Sequence, residues 1–467
     1  MRIRFGTSGW RGIIAREFTW DRVDTVVDAV ASYLRQKNRH TIVVGGDCRF
    51  LSPELSRHAA ERLCGYGFRV GLSTVPCPTP VLSHACIREG MGGVINFTAS
   101  HNPPLYNGIK FNPWHGGPAG NDVTREIEEL AAAHPVPEQG EGSIDEIDFR
   151  GEYVEALKEL LDDDVFRDSG LRVVYDAFSG TGSGILDKML VDLGAAVRVM
   201  NGVRDPLFAG REHPDPGREG TRDLSSQVVA SGASLGVATD GDADRFGLVD
   251  EKGVFVSPND YFPALLDYLA GHKGMKGKVV RSVTTSSLVD RVAEYYGLET
   301  VVTPVGFKYL GAEMLAGDVL LACEESGGLS IGGHVPEKDG ILACLLACEM
   351  MCSTGKSMSQ LLEDVWKRFG RSHVVREDIV LKGDLREKMT EIFIESHPRL
   401  PGGTSVVSVD RMDGVRMILE NGDWVLVRLS GTEPLARVYA HSGSPGRARL
   451  LANEVRDMLV NSGEGPR

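Results

Sequence analysis

Three times along this chain a short apolar run, a polar loop, an amphipathic stretch of helical spacing, a glycine and a second apolar run follow one another. The first copy begins at Thr41-Ile42-Val43-Val44, continues through a helix to Leu63 and resumes at Gly67-Phe68-Arg69-Val70. The second begins at Leu171-Arg172-Val173-Val174, runs through a helix to Leu193 and resumes at Gly194-Ala195-Ala196-Val197. The third begins at Gly277-Lys278-Val279-Val280, runs through a helix to Tyr296 and resumes at Gly297-Leu298-Glu299-Thr300-Val301. Strands alternating with helices in this way predict α/β units of common topology, and their spacing of roughly a hundred residues is too long for a solenoid. Each copy then reaches a further apolar strand that ends in a polar loop. These loops are Thr98–Pro103, Asp240–Arg245 and Glu324–Gly328. Strand-end loops of equivalent domains are where function gathers. After about residue 373 the pattern changes to strands and one terminal helix, a fourth domain of α+β type.

The predicted fold class is therefore α/β with four domains. Three are α/β domains of common topology with mixed sheets, spanning 1–150, 151–255 and 256–370, and the α+β domain spans 371–467. The length of 467 residues allows each its own core. A hydrophobic content of 42% with 25% charged residues is that of an ordinary globular protein. The beginning of the chain shows no apolar leader pattern and no run approaches a membrane span, so the expected location is the cytoplasm. Eight cysteines without a framework pattern suit the same compartment. Cys344, Cys348 and Cys352 share one face of a helix around Ile341–Met351, a spacing that fits core packing rather than zinc. The net charge of −14 argues against a nucleic-acid partner, while a locally basic cleft could still hold an anion. Much of the acidic excess lies in Arg125–Asp148, read as a solvated helix followed by a linker.

The loops carry the chemistry. Ser100 follows the apolar run Gly92–Phe97, and Pro103 and Pro104 prevent a helix from starting at once, so it is predicted on an irregular, presented turn. A serine hydroxyl needs a base, a metal or a phosphoryl group to become a useful nucleophile; His101 and Lys110 lie near it in sequence. Asp240, Asp242 and Asp244 alternate after a strand. Carboxylates so close together repel unless a cation neutralises them, and hard oxygen ligands suit magnesium or calcium. Glu251 is placed as in an EF-hand, but Arg245 occupies the position that needs glycine and strands flank the loop, which excludes that motif. Gly180-Thr181-Gly182-Ser183-Gly184 has the wrong spacing for a dinucleotide fingerprint and reads as a tight entry to a helix. Ser430-Gly431-Thr432 between two strands, with Arg428 and Arg437 nearby, fits a phosphate dianion, since guanidinium forks bind two oxygens at once. A second glycine-rich loop, Gly6–Gly12, carries Arg11.

Taken in order, Gly6–Gly12, Thr98–Pro103, Asp240–Arg245, Glu324–Gly328 and Arg428–Pro434 resemble the motifs of the α-D-phosphohexomutase superfamily, over nearly the whole chain. The resemblance implies four domains around a central cleft, a phosphorylated serine and Mg2+. It also implies interconversion of hexose 1-phosphates and 6-phosphates through a hexose 1,6-bisphosphate, with glucose 1,6-bisphosphate as intermediate and activator. Ser100 then donates and recovers the phosphoryl group, and Asp240, Asp242 and Asp244 hold Mg2+ together with a phosphoserine oxygen. Arg11, His101, Lys110 and Arg245 match positions beside the reacting phosphate. Lys338, in Pro336-Glu337-Lys338-Asp339-Gly340, matches an acid/base or orienting lysine, with His334 and Lys308 on the substrate side. Glu324 and Ser326 match the loop that reads the 3- and 4-hydroxyls, and Arg428, Ser430, Gly431, Thr432 and Arg437 match the grip on the non-reacting phosphate. Two departures stand out: Leu429 replaces a common proline, and Gly332 stands where relatives often carry Arg. The Glu-Glu-Ser-Gly-Gly loop resembles phosphoglucomutase-like members rather than the glucosamine branch. The expectation is a phosphoglucomutase, with phosphomannomutase as the alternative main activity. The partners are small hexose phosphates, with no nucleic acid or membrane, in a monomer or homodimer. A metal-dependent sugar-phosphate phosphatase and a non-catalytic sugar-phosphate binder are the rival readings from other classes.

Overall fold

The computed structural model describes residues 3–6, 8–381, 405–429 and 435–461. Among them the chain forms two compact units, one of Met1–Pro258, Met275–Lys278 and Gly306–Leu361, the other of Asn259–Gly274, Val279–Val305 and Leu362–Arg467. In the first unit, β1 (Trp10–Ile13), β2 (Thr41–Gly46), β3 (Arg69–Ser73), β4 (Gly93–Phe97), β5 (Tyr106–Pro113) and β6 (Ser143–Ile147) make a sheet in the order β1-β5-β4-β2-β3-β6. β2 pairs in parallel with β3 and β4, and β5 turns back antiparallel between β4 and β1. β2 and β4 are almost wholly buried, which is why both read as continuous apolar runs rather than alternating ones. Helices Ser52–Gly65 and Thr79–Arg88 supply the crossovers that parallel neighbours need. Helix Trp20–Gln36 buries Val23, Val26, Val27, Val30 and Leu34 on one stripe. Each such side chain contributes roughly 1.5–3 kcal/mol by leaving water.

The acidic segment after helix Asn121–Ala133 is not the plain linker its composition suggests. Ser143–Ile147 becomes β6, an edge strand parallel to β3, and the half-buried Asp145 meets Arg69 at 2.9 Å. Charge along an edge strand keeps it from pairing with other chains, so a linker-like composition and a strand are compatible here.

A second sheet, of β7 (Arg172–Asp176), β8 (Ala196–Met200), β9 (Leu235–Thr239), β10 (Phe246–Val249) and β11 (Phe255–Val256), runs β11-β10-β9-β7-β8. It repeats the pairing of the first: β7 is parallel to β8 and β9, and β10 is antiparallel to β9. The third domain supplies a parallel pair, β12 (Lys278–Ser282) with β13 (Thr300–Thr303), and a hairpin, β14 (Val319–Glu324) with β15 (Gly328–Ile331). The mixed sheets expected from the repeats are therefore present. Helix Gly340–Thr354 is apolar all round and almost wholly buried, with Cys344 and Cys348 in the interior; none of the eight cysteines is paired. Among the described residues no single helix is long and apolar enough to cross a membrane.

In the second unit, β16 (His373–Val380), β17 (Val406–Asp410), β18 (Val415–Leu419), β19 (Trp424–Leu429) and β20 (Leu435–Ser442) form an antiparallel sheet in the order β16-β20-β19-β18-β17. Helix Pro445–Asn461 covers it through Leu451, Ala452 and Val455 over Met417, Val425 and Val438. This is the α+β domain expected after residue 373.

Candidate active site

β4 delivers the chain to Thr98–Pro103, and the turn there is tight. Ser100 adopts φ +51°, a left-handed backbone that non-glycine residues rarely hold. The loop is irregular, as expected, but its serine is not presented: Ser100 is 1% exposed. The reason lies in the next domain. Ser100 Oγ donates to Asp240 Oδ2 at 2.7 Å, and Gly241 lies so close that a Cβ there would sit 3.0 Å from the Ser100 carbonyl oxygen. The His101 Nδ1 lies 3.2 Å from the same hydroxyl. Burial, with Arg245 and Arg11 nearby, pushes the His101 imidazole well below the usual histidine range and keeps it neutral.

Asp240, Asp242 and Asp244 are fully buried, and one oxygen from each falls within 4.8 Å of the others. Lys110, reaching over from β5, donates to Asp242 Oδ2 at 2.5 Å and to Asp244 Oδ2 at 2.6 Å. Thr79, at the start of its helix, donates to Asp242 Oδ2 at 2.5 Å. Asp240 Oδ1 accepts from the Arg245 backbone N–H at 3.0 Å. Two buried oxygens, Asp242 Oδ1 and Asp244 Oδ1, have no hydrogen-bond partner among the described residues. Burial raises the Asp240 carboxyl well above the usual carboxylate range, and repulsion from Asp242 and Asp244 adds to it. Burial acts on Asp244 too, but Lys110, Lys338 and Arg245 outweigh it and hold that carboxyl low. Three buried carboxylates with their oxygens gathered together, two of those oxygens unpartnered among the described residues, fit a hard divalent cation. The glycine run 180–184 serves this loop, because Thr181 donates from its backbone N and its Oγ1 to the Gly241 carbonyl at 3.1 and 3.2 Å.

Lys338 joins the cluster from the other side. Its Nζ lies 3.1 Å from Asp244 Oδ2 and 3.3 Å from Glu337 Oε1, over the ring of Phe307. Burial opposes its charge, yet Asp244, Glu337 and Glu324 raise its pKa above the ordinary lysine value, as Asp242 and Asp244 do for Lys110. Glu324 closes β14 as a buried carboxylate, and Ser326 follows in the half-buried turn. Arg11, on β1 opposite Gly108 of β5, donates to Asn102 Oδ1 in the serine loop. Burial and the neighbouring Arg245 lower the Arg11 guanidinium to about 10. The Arg245 side chain points to Asp215 at 3.4 Å. His334 takes a different place: its ring is buried near Tyr153, with Nε2 2.7 Å from Asp339 Oδ2, which also accepts from Tyr153 Oη at 2.7 Å. Lys308 donates to Asn121 Oδ1 at 2.6 Å. The departure at Gly332 has a steric basis, since a Cβ there would meet the Val319 carbonyl.

In the second unit Arg428 and Arg437 stand directly opposite each other on β19 and β20. Like charges in that register are unfavourable without an anion to share, and Arg428 meets Asp413 at 2.8 Å. Ser430, Gly431 and Thr432 lie outside the described residues. Sequence reading missed Thr79, Asp47 and Arg49, all buried beside the serine loop. The available signal was that Asp47-Cys48-Arg49 itself follows the end of strand β2, as the other chemical loops follow their strands.

Against known proteins, the chain matches four phosphoglucomutase/phosphomannomutase domain families in order. Alpha/beta/alpha domain I covers residues 2–135, domain II 151–253, domain III 257–369 and the C-terminal domain 386–458. A phosphoglucomutase/phosphomannomutase of Thermococcus kodakarensis is 31% identical, covering 95% of this chain and 96% of its own. A probable phosphoglucosamine mutase of Methanopyrus kandleri is 32% identical, covering 97% of each. The crystal structure of a putative phosphomannomutase from Thermus thermophilus is similar at 34% identity and a TM-score of 0.86, covering 98% of this chain and 99% of that one. With its four domain families in order and relatives along its whole length, the chain belongs to the phosphoglucomutase/phosphomannomutase family of hexose-phosphate mutases.

Proposed function

We propose that the chain interconverts glucose 1-phosphate and glucose 6-phosphate, with Ser100 carrying the phosphoryl group and glucose 1,6-bisphosphate as the intermediate. The observation that carries this reading is the bond from Ser100 Oγ to Asp240, beside two carboxylates that keep unpartnered oxygens and two lysines. In the first half-reaction the free hydroxyl of a bound hexose monophosphate attacks the phosphoserine phosphorus. A new O–P bond forms to the sugar, the bond to Ser100 Oγ breaks, and the proton lost by the sugar oxygen is restored at Ser100. The bisphosphate then turns over and its other phosphoryl group returns to Ser100. Such transfer asks the protein chiefly for positioning and charge stabilisation. Lys110, Lys338, Arg11 and Arg245 supply cationic charge around the phosphoryl group. Lys338, held positive by its carboxylates, acts as an orienting cation rather than as a proton acceptor. Neutral His101 hydrogen-bonds without adding charge. Asp240, Asp242 and Asp244, with a phosphoserine oxygen, would hold Mg2+, which neutralises charge on the transferring group.

On the substrate side, Glu324 and Ser326 address the sugar hydroxyls, with Lys308 beside them, while His334 stays buried against Asp339. Arg428, Ser430, Gly431, Thr432 and Arg437 take the distal phosphate. The reading keeps domain boundaries at 150, 255 and 370 and a cytoplasmic monomer or homodimer, in keeping with eight unpaired cysteines. Peptide mass spectrometry of the purified protein, together with kcat/KM for glucose, mannose and glucosamine 1-phosphates, tests it. We expect one phosphoryl group on Ser100, the highest kcat/KM for glucose, and at least about a thousandfold loss of turnover in Ser100→Ala. Steady release of inorganic phosphate without isomer would make the protein a phosphatase. A strong preference for mannose or glucosamine would overturn the choice of sugar.

A further inference from the structure

The nucleophile's left-handed turn is held from beneath by a residue that touches no reacting atom. Arg49 is 0% exposed, and its guanidinium directs both terminal nitrogens to main-chain carbonyls of the serine loop. One nitrogen donates to Ser100 O and Asn102 O, each at 2.6 Å. The other donates to Pro103 O at 2.8 Å and Tyr106 O at 3.0 Å. Four carbonyls drawn toward one planar cation cannot be arranged by an extended strand; the loop must curl around the fork. That curl puts Ser100 at φ +51°, and such strain persists only where the surroundings over-determine it.

The cation is itself fixed on three sides. Its Nε lies 3.2 Å from Asp47 Oδ2, and Asp47 Oδ2 also accepts from Thr98 Oγ1 at 2.6 Å. Thr98 Oγ1 in turn accepts from the Ser100 backbone N–H at 2.8 Å, so both peptide groups flanking Ser100 lead back to the Asp47–Arg49 pair. The guanidinium face lies 4.8 Å over the ring of Phe208, a fully buried residue with φ +51° from the second α/β domain. A Cβ on Gly241, in the carboxylate loop, would meet that same ring at 3.2 Å and the Ser100 carbonyl oxygen at 3.0 Å. Arg49 therefore ties the serine loop and, through Phe208, the carboxylate loop to one rigid plane.

We propose that Arg49 is a positioning residue that sets the distance and direction of Ser100 Oγ toward Asp240, with Phe208 as the platform that orients it. The proposal rests on Ser100 being the phosphoryl carrier. A lysine keeps the charge beside Asp47 but has no planar fork, so it cannot serve four carbonyls at once.

Arg49→Lys and Phe208→Leu are the tests, assayed as full-length enzymes with kinetics normalised to the folded fraction. We expect Arg49→Lys to lower kcat at least tenfold with KM for glucose 1-phosphate within about twofold, and to slow phosphorylation of Ser100 by glucose 1,6-bisphosphate by a similar factor. Phe208→Leu, which keeps an apolar side chain under the cation, is expected to lower kcat about threefold or more with the same unchanged KM, and it carries the test if the lysine variant does not fold. Unchanged kcat per folded molecule in either variant, beside a wild type that carries phosphoserine and turns over, would overturn the role of Arg49 and leave the mutase reading intact. A wild type without phosphate on Ser100 would instead overturn both.

Discussion

At the scale of single residues, the site is a balance of buried charge. Lys110 meets Asp242 and Asp244 in a place where none of the three is more than 5% exposed. Removing one partner from a buried ion pair leaves the other charges uncompensated, at a cost of about 3–5 kcal/mol. Lys110→Met is therefore expected to lower the melting temperature at neutral pH, and millimolar Mg2+ is expected to restore more of it than it adds to wild type. Thermal unfolding with and without the ion, including an EDTA control, measures this. A variant as stable as wild type without metal would contradict the charge balance. The triplet itself was legible in the sequence, because alternating Asp residues after a strand have few other uses. Its partner was not, since Lys110 stands 132 residues from Asp242 along the chain.

At the scale of elements, the ends of β4, β9 and β14 supply the Ser100 loop, the carboxylates and the Glu324 loop. The hairpin from β14 to β15 also makes room for a catalytic candidate, for a Cβ on Gly328 would sit 2.6 Å from Lys338 Cδ. Gly328→Ala must then push the lysine stem aside or tilt the strand. We expect a fall in kcat of about tenfold, with a melting temperature within a few degrees of wild type, because the flexible stem yields before the backbone does. Steady-state kinetics beside calorimetry separate the two effects; a large loss of stability with normal turnover would mean that the strand moves instead. Element types were read well where apolar runs were long and buried on both faces, as in β2 and β4. Ser143–Ile147 was misread as linker because an edge strand shows half its side chains to water and carries charge.

At the scale of the whole molecule, stability should respond to pH through a group outside the serine and carboxylate loops. His441 stacks on Trp424 with ring centroids 5.3 Å apart, and its Nε2 lies 2.7 Å from Ser372 Oγ. Burial lowers its pKa to about 4, with Arg291, Arg416 and Arg281 adding to the effect and Asp423 opposing it. Because the folded pKa lies below the unfolded value of about 6.5, the unfolded chain binds the proton first as pH falls. Stability from this group is complete above pH 6.5 and is lost progressively from there down to about pH 4, by roughly 3 kcal/mol in all. Denaturant unfolding from pH 7.5 to 4.5 should show a steeper acid loss in wild type than in His441→Gln. Parallel curves would show that the imidazole does not drive it.

By itself the sequence determined the class of the fold, its four-part order and the three loops that carry Ser100, three carboxylates and Glu324. Those features are local: they follow from apolar periodicity, turn residues and charge packed into a few neighbouring positions. Only the tertiary structure decided that Ser100 is buried against Asp240, that Lys110 and Lys338 share the Asp244 carboxylate, and that Arg49 gathers four carbonyls of the Ser100 loop. Those contacts join residues up to 140 positions apart in the bond from Ser100 to Asp240. Nothing in the spacing along one segment can reveal which distant segment will share its buried charge. The fold settles that pairing, because buried polar groups must find partners wherever packing brings them together.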